Sequence, residues 1–126
     1  MSIDQIHKIE QLNDHVYRID ENGIANCYLV IGSEKALLID AGIGAGNLKK
    51  CVEQVTDKPI ILAITHRHYD HVGGAWQFGT YYIHKYDSSF INKLMTYFLI
   101  ANIVVEKQGI SIENKRPLGR KVKEVK

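Results

Sequence analysis

The chain has 126 residues, 45% of them hydrophobic and 24% charged, with a formal net charge of +2 at pH 7. That length and balance suit one compact unit and, with no repeat or low-complexity stretch, exclude solenoids and tail-like chains. The two cysteines, Cys27 and Cys51, form no Cys-x-x-Cys pair, and Met1-Ser2-Ile3-Asp4-Gln5 is no apolar leader, so a reducing cytoplasmic setting is expected.

In chain order, residues 5–12 and 15–20 read as strands joined hairpin fashion at Asn13-Asp14. Residues 25–31 and 35–40 form two more, joined near Gly32-Ser33-Glu34. Asn47 caps a predicted helix in which Leu48, Cys51, Val52 and Val55 share one face, leaving Lys49, Lys50 and Glu53 to water. The run Pro59 to Ile64 is short, uncharged and β-branched, the pattern of a strand buried on both faces. Gly73 and Gly74 permit a tight turn, Ala75-Trp76-Gln77-Phe78 begins a short helix anchored by Trp76 and Phe78, and 81–84 is the next strand. Ser88 caps a long helix ending before Gly109. Its apolar run, Leu94 to Val105, is 12 residues long, too short for a bilayer, so no membrane association is expected. Tyr97-Phe98-Leu99 within it suits packing better than the lining of a substrate pocket. Strands alternating with helices indicate an α/β chain.

The chemistry is concentrated in Thr65-His66-Arg67-His68-Tyr69-Asp70-His71-Val72-Gly73-Gly74. With 6 His in the chain, chance would produce His-x-His-x-Asp-His on the order of once in a thousand such sequences, so the pattern calls for a chemical reason. Imidazole nitrogen and carboxylate oxygen are the donors a borderline metal such as zinc prefers. If the backbone stays extended after Ile64, His66 and His68 project to one side and can hold one ion. Asp70 and His71 follow a change of direction and can hold a second. The competing structural interpretation is a polar loop whose histidines pack and whose Asp70 makes salt bridges.

This stretch resembles the signature loop of the metallo-β-lactamase superfamily. Upstream, Ala36-Leu37-Leu38-Ile39-Asp40-Ala41-Gly42 resembles the family strand that ends in Asp-x-Gly, and Asn26-Cys27-Tyr28-Leu29-Val30 the strand before it. The likeness runs from about 14 to 87. It implies metal dependence with two zinc ions, iron or manganese being alternatives. His66 and His68 would bind one ion and Asp70 and His71 the other, with Asp40 supporting the ligands from behind. The fold implied is half of an αββα sandwich, a mixed sheet with helices on one face. The activity implied is hydrolysis, metal-bound hydroxide attacking an ester, thioester, lactone, lactam or phosphodiester, with Asp70 orienting the attacking water.

The family completes its two sites with further histidines, one in a Gly-His motif. The remaining histidines here, His7, His15 and His84, sit in no such motif. Residues 117–125 resemble the strand leading to the third ligand, so residues 1–126 are expected to be one domain that lacks its C-terminal part. Two further expectations follow. The outer sheet face should be apolar and covered by a second copy or by the missing half. The alternative function is a metal-binding half-domain without catalysis of its own.

Other features stay subordinate. Asp40-Ala41-Gly42-Ile43-Gly44-Ala45-Gly46 matches the glycine loop of adenosylmethionine-dependent methyltransferases, a competing reading. Against it, the next strand ends in Thr65-His66 rather than an acidic residue for ribose. Residues 115–126 carry a net charge of +5 against −3 for the rest. Without interleaved aromatics, this suits a solvated edge strand rather than a nucleic-acid surface. His84 is expected to pack or hydrogen-bond, and His7 and His15 to lie on the surface. The partner foreseen is a small-molecule substrate.

Overall fold

The computed structural model describes residues 6–84 and 87 in full and the backbone of 121–125. Among the described residues seven strands follow one another in sheet order: β1 (His7–Gln11), β2 (Val16–Glu21), β3 (Asn26–Ile31), β4 (Ala36–Ile39), β5 (Ile60–Ala63), β6 (Thr80–His84) and β7 (Lys121–Val125). β1 to β4 pair antiparallel through short connections, whereas β4 to β7 pair parallel. The sheet is therefore mixed, and the metallo-β-lactamase-like α+β architecture expected from the resemblance is present.

The turn between β2 and β3 carries Asn22 and Gly23, both at positive φ (55° and 80°). Asn and Gly tolerate that conformation, and its twist matches a hairpin. Asn47 caps helix α1 (Leu48–Val55) as its side chain predicts, accepting from the Lys50 amide at 3.0 Å. Leu48 and Val52 then meet the inner sheet face, on which Ile19, Cys27, Leu29, Leu38, Leu62 and Tyr81 are buried. Each fully buried Leu, Ile or Val contributes about 1.5–3 kcal/mol from apolar surface removed from water.

After β5 the chain departs from expectation. The helical turn α2 (Tyr69–Val72) begins before the glycines, and Gly73–Gln77 continues as a 3-10 turn. Gly73 and Gly74 thus make no sharp reversal. Their role is close approach: a Cβ on Gly73 would stand 2.2 Å from the Ile43 carbonyl oxygen, and one on Gly74 2.2 Å from that of Ala41. Phe78 joins the core, as foreseen, and Trp76 is half-buried.

His15 is exposed, as expected. His84 alternates on β6 with buried Tyr81 and Ile83 and is itself exposed, so it does not pack into the core. His7 overturns the surface expectation. It is completely buried, directly opposite Glu21 in the β1–β2 register, and Glu21 is completely buried too. The local sequence did not announce this, because burial here follows the pairing of two strands rather than local composition.

The outer sheet face carries Val16, Val30, Leu37 and Ile61 in one row and Tyr28, Ile39, Ala63 and Tyr82 in the next. All are partly exposed, Tyr28 by 37% and Tyr82 by 41%. Strand β7 lies at the sheet edge, consistent with an edge role for the basic tail. The helix expected from Ser88 to Gly109, including Tyr97-Phe98-Leu99, lies outside the described residues. Among the described residues no helix is long and apolar enough to cross a membrane.

Candidate metal centre

β4 and β5 are parallel neighbours, so Asp40, just past β4, and Thr65, just past β5, reach the same end of the sheet. The carboxyl ends of parallel strands are where such sheets place their ligand sites. Asp40 takes φ +68°, a left-handed conformation that aspartate tolerates better than most residues. Its amide donates to the Ala63 carbonyl at 2.8 Å, fastening the turn to β5.

The Asp40 carboxylate is the organising group. Oδ1 accepts the Thr65 amide at 2.8 Å, and the Thr65 hydroxyl lies 2.8 and 2.9 Å from Oδ1 and Oδ2. Oδ2 also stands 2.8 Å from Nδ1 of His71. An ionised carboxylate only accepts, so Nδ1 of His71 is the donor, which in the neutral ring leaves Nε2 with a lone pair. Thr65 has one hydroxyl hydrogen and gives it to Asp40, so its oxygen accepts from His66 Nδ1, 2.9 Å away. His66 is thereby held in the same tautomer. One carboxylate thus orients two imidazoles, directly and through a hydroxyl, and in the neutral rings each keeps a lone pair on Nε2.

His66 and His68 lie in the segment between β5 and α2, and Asp70 and His71 on α2 itself. The rings converge: His66 and His68 have centroids 4.6 Å apart at 79°, His66 and His71 4.1 Å apart at 43°. His71 Nε2 is 3.7 Å from Asp70 Oδ2, so the carboxylate sits beside the nitrogen left with a lone pair. Among the described residues no three His, Cys, Asp or Glu side chains form a group set to hold a metal ion. The donor types, imidazole nitrogen and carboxylate oxygen, nevertheless fit a zinc-like cation.

The loop is braced from behind. Ala41 donates to the His71 carbonyl at 2.7 Å, Gly73 to Gly42 at 2.8 Å and Gly74 to Ala41 at 3.0 Å. Gly42, Gly44 and Gly46 all have positive φ. The space beside Gly42 is filled by the Glu21 carboxylate and that beside Gly44 by Gly73. The glycines therefore seat one loop on another instead of cradling a cofactor, and the methyltransferase interpretation falls with the antiparallel run from β1 to β4. Beneath the site, burial pushes the Cys27 thiol well above its ordinary range, reinforced by Glu21, Asp40 and Cys51. It is a packing residue, not a nucleophile. A cavity of about 590 Å³ opens beside the C-terminal end of α1, lined in part by Val52, Thr56, Ile60 and Phe78, and includes none of the loop histidines.

Sequence reasoning left Thr65, Glu21 and His7 without a part in the site. For Glu21 a signal exists: it shares the parity of Tyr17 and Ile19 on β2, which places a carboxylate on the buried face.

The sequence model of the Metallo-beta-lactamase superfamily matches residues 20–86, just over half the chain. The chain belongs to the metallo-β-lactamase superfamily. It is 30% identical over 92 residues to the acyl-coenzyme A thioesterase MBLAC2 of Homo sapiens, a match covering 60% of this chain and 33% of that protein. The Gallus gallus thioesterase of that name is 32% identical over 74 residues, covering 52% and 27%. The chain thus spans about a third of the length of the curated relatives it matches. Among solved structures, a metallo-β-lactamase from Erythrobacter litoralis superposes with a TM-score of 0.59 at 19% identity, covering 71% of this chain and 46% of that one. The metallo-β-lactamase FIM-1 from Pseudomonas aeruginosa, in its mono-zinc form, gives 0.59 at 16% identity, covering 74% and 48%. At such identities the superposition concerns the superfamily fold.

Proposed function

We propose that this superfamily member is a zinc-dependent hydrolase that cleaves a small-molecule acyl thioester. His66 and His68 hold one ion, and Asp70 and His71 hold another. The observation carrying this reading is the Asp40 network, which fixes His66 and His71 with Nε2 available, a preparation that packing alone does not require. When bound, zinc supplies Lewis-acid polarisation and lowers the pKa of water to about 7. The chain's own contribution is orientation. Asp40 and Thr65 hold the rings, and half-exposed Asp70 offers a carboxylate to align water and take its proton. The thioester preference rests on the names of the MBLAC2 relatives. Lactone, lactam, other ester and phosphodiester bonds are alternative targets of the same chemistry. A cytoplasmic setting accords with the buried thiols of Cys27 and Cys51.

A second reading is a metal-binding half that turns nothing over alone. It is favoured by the lack of a three-donor group among the described residues and by the half-exposed apolar outer face, which suits a covering sheet or second copy. Elemental analysis and acyl-coenzyme A cleavage, followed by thiol release, test both. Two zinc ions per chain, lost in His68→Ala, with thiol release lost in Asp70→Asn, support the hydrolase. Metal binding without thiol release supports the half-domain, and no metal at all defeats both.

A further inference from the structure

We propose that the buried His7–Glu21 pair is a positioning device for the histidine loop, acting through the amide of Ile43. This rests on the metal-site reading above. His7 Nε2 meets Glu21 Oε2 at 2.8 Å, with both side chains fully excluded from water. A buried ionisable pair costs several kcal/mol of desolvation, and apolar residues of similar volume often serve stability as well or better. Stability therefore does not explain its presence.

The other carboxylate oxygen does. Glu21 Oε1 accepts the Ile43 N–H at 2.7 Å, across 22 positions of sequence. Ile43 belongs to the turn that begins at Asp40, and that turn is stitched to the histidine segment by the Ala41–His71, Gly42–Gly73 and Ala41–Gly74 backbone bonds. The fit has no slack: a Cβ on Gly42 would lie 2.0 Å from Glu21 Oε1. Glu21 thus pins the turn from below while Asp40 reaches His71 from its other end. A displacement of Ile43 is transmitted by two routes, through Asp40 and through the backbone of 71–74. Glu21 touches none of the proposed ligands, so it is a positioning residue and not a catalytic one.

The test uses the full chain with Glu21→Ala and Glu21→Gln. Without metal, long-range proton–nitrogen spectra report the His71 tautomer, and amide exchange is followed at Gly73 and Gly74. Zinc affinity is then measured by chelator competition. In Glu21→Ala the His71 ring should lose its single Nδ1–H form, the two amides should exchange at least about tenfold faster, and zinc affinity should fall about tenfold. Glu21→Gln, which still offers an oxygen to Ile43, should retain zinc affinity within about twofold. A folded Glu21→Ala chain with wild-type tautomer, exchange and affinity overturns the proposal. Should that variant not fold, the double variant His7→Leu with Glu21→Leu, which fills both sites with apolar groups, is read by the same outcomes. If the unsubstituted chain binds no zinc, the metal-site reading fails, and the positioning role stands or falls on the metal-free signatures.

Discussion

Asp40 Oδ2 and His71 Nδ1 stand 2.8 Å apart, so a residue just beyond one strand dictates which nitrogen of a histidine 31 positions later carries the proton. Asp40→Asn tests this with little change of shape, and asparagine also tolerates the positive φ found there. An amide NH2 turned toward Nδ1 would favour the opposite tautomer. Zinc affinity should fall about 10–100-fold while circular dichroism stays native. Wild-type affinity in the folded variant would mean that something else orients His71.

Thr65 relays the same carboxylate to His66. Thr65→Val keeps the volume but loses the hydroxyl, leaving His66 Nδ1 without its acceptor and the Asp40 oxygens with one donor fewer. Zinc affinity should drop about tenfold, whereas Thr65→Ser should stay within about twofold. Equal losses in both variants would point to the methyl group, and thus to packing rather than the relay.

The two loops of the site approach so closely that alanine cannot be added at Gly74. Alanine is intrinsically better than glycine in a helical turn by about 1 kcal/mol. Here its Cβ would meet the Ala41 carbonyl oxygen at 2.2 Å, a backbone atom that cannot swing aside. The clash should win, with Gly74→Ala losing about 3 kcal/mol in urea denaturation. Gly79, where a Cβ would meet nothing within 4 Å, is the control. Gly79→Ala should change stability by no more than about 0.5 kcal/mol. Similar effects at the two positions would contradict the interlocked loops.

Cys27 makes a pH-dependent contribution whose sign follows from its raised pKa. Folded, the thiol stays protonated because of burial first and the Glu21, Asp40 and Cys51 charges next. Unfolded, it ionises near its ordinary value of about 8.5. Its contribution is therefore complete below that value and is lost progressively as pH rises above it. Cys27→Ser should show a flatter decline of stability above pH ~9 than the parent chain. Alkylation of Cys27 in the native chain should be at least about a hundredfold slower than in urea, and comparable rates would place the thiol at the surface.

Much of the fold was open to inspection in the sequence because its rules are local. Apolar runs and turn residues marked β1 to β6 within two residues of their ends, although β5, expected to be buried on both faces, leaves Ile61 and Ala63 half-exposed on the outer one. Asn47 announced α1, since a side-chain cap needs only the next three residues. The loop donors stood in six consecutive positions. Where a longer-range event decided, inspection failed. Gly73 and Gly74 suggested a reversal because glycine commonly makes one, but their cause is contact with Ala41 and Ile43. His7, an imidazole outside any ligand motif, suggested a surface position, but its partner is Glu21.

The sequence by itself determined the donor set, the order of strands and helices, and the kinship those residues declare, because each depends on neighbours along the chain. Only the tertiary structure decided how the donors are prepared. Parallel pairing of β4 with β5 brought Asp40 to Thr65 and His71, and antiparallel pairing of β1 with β2 buried His7 against Glu21. Hydrogen bonding and exclusion of water act through space, over a few ångströms, between residues that the chain keeps 14 to 31 positions apart.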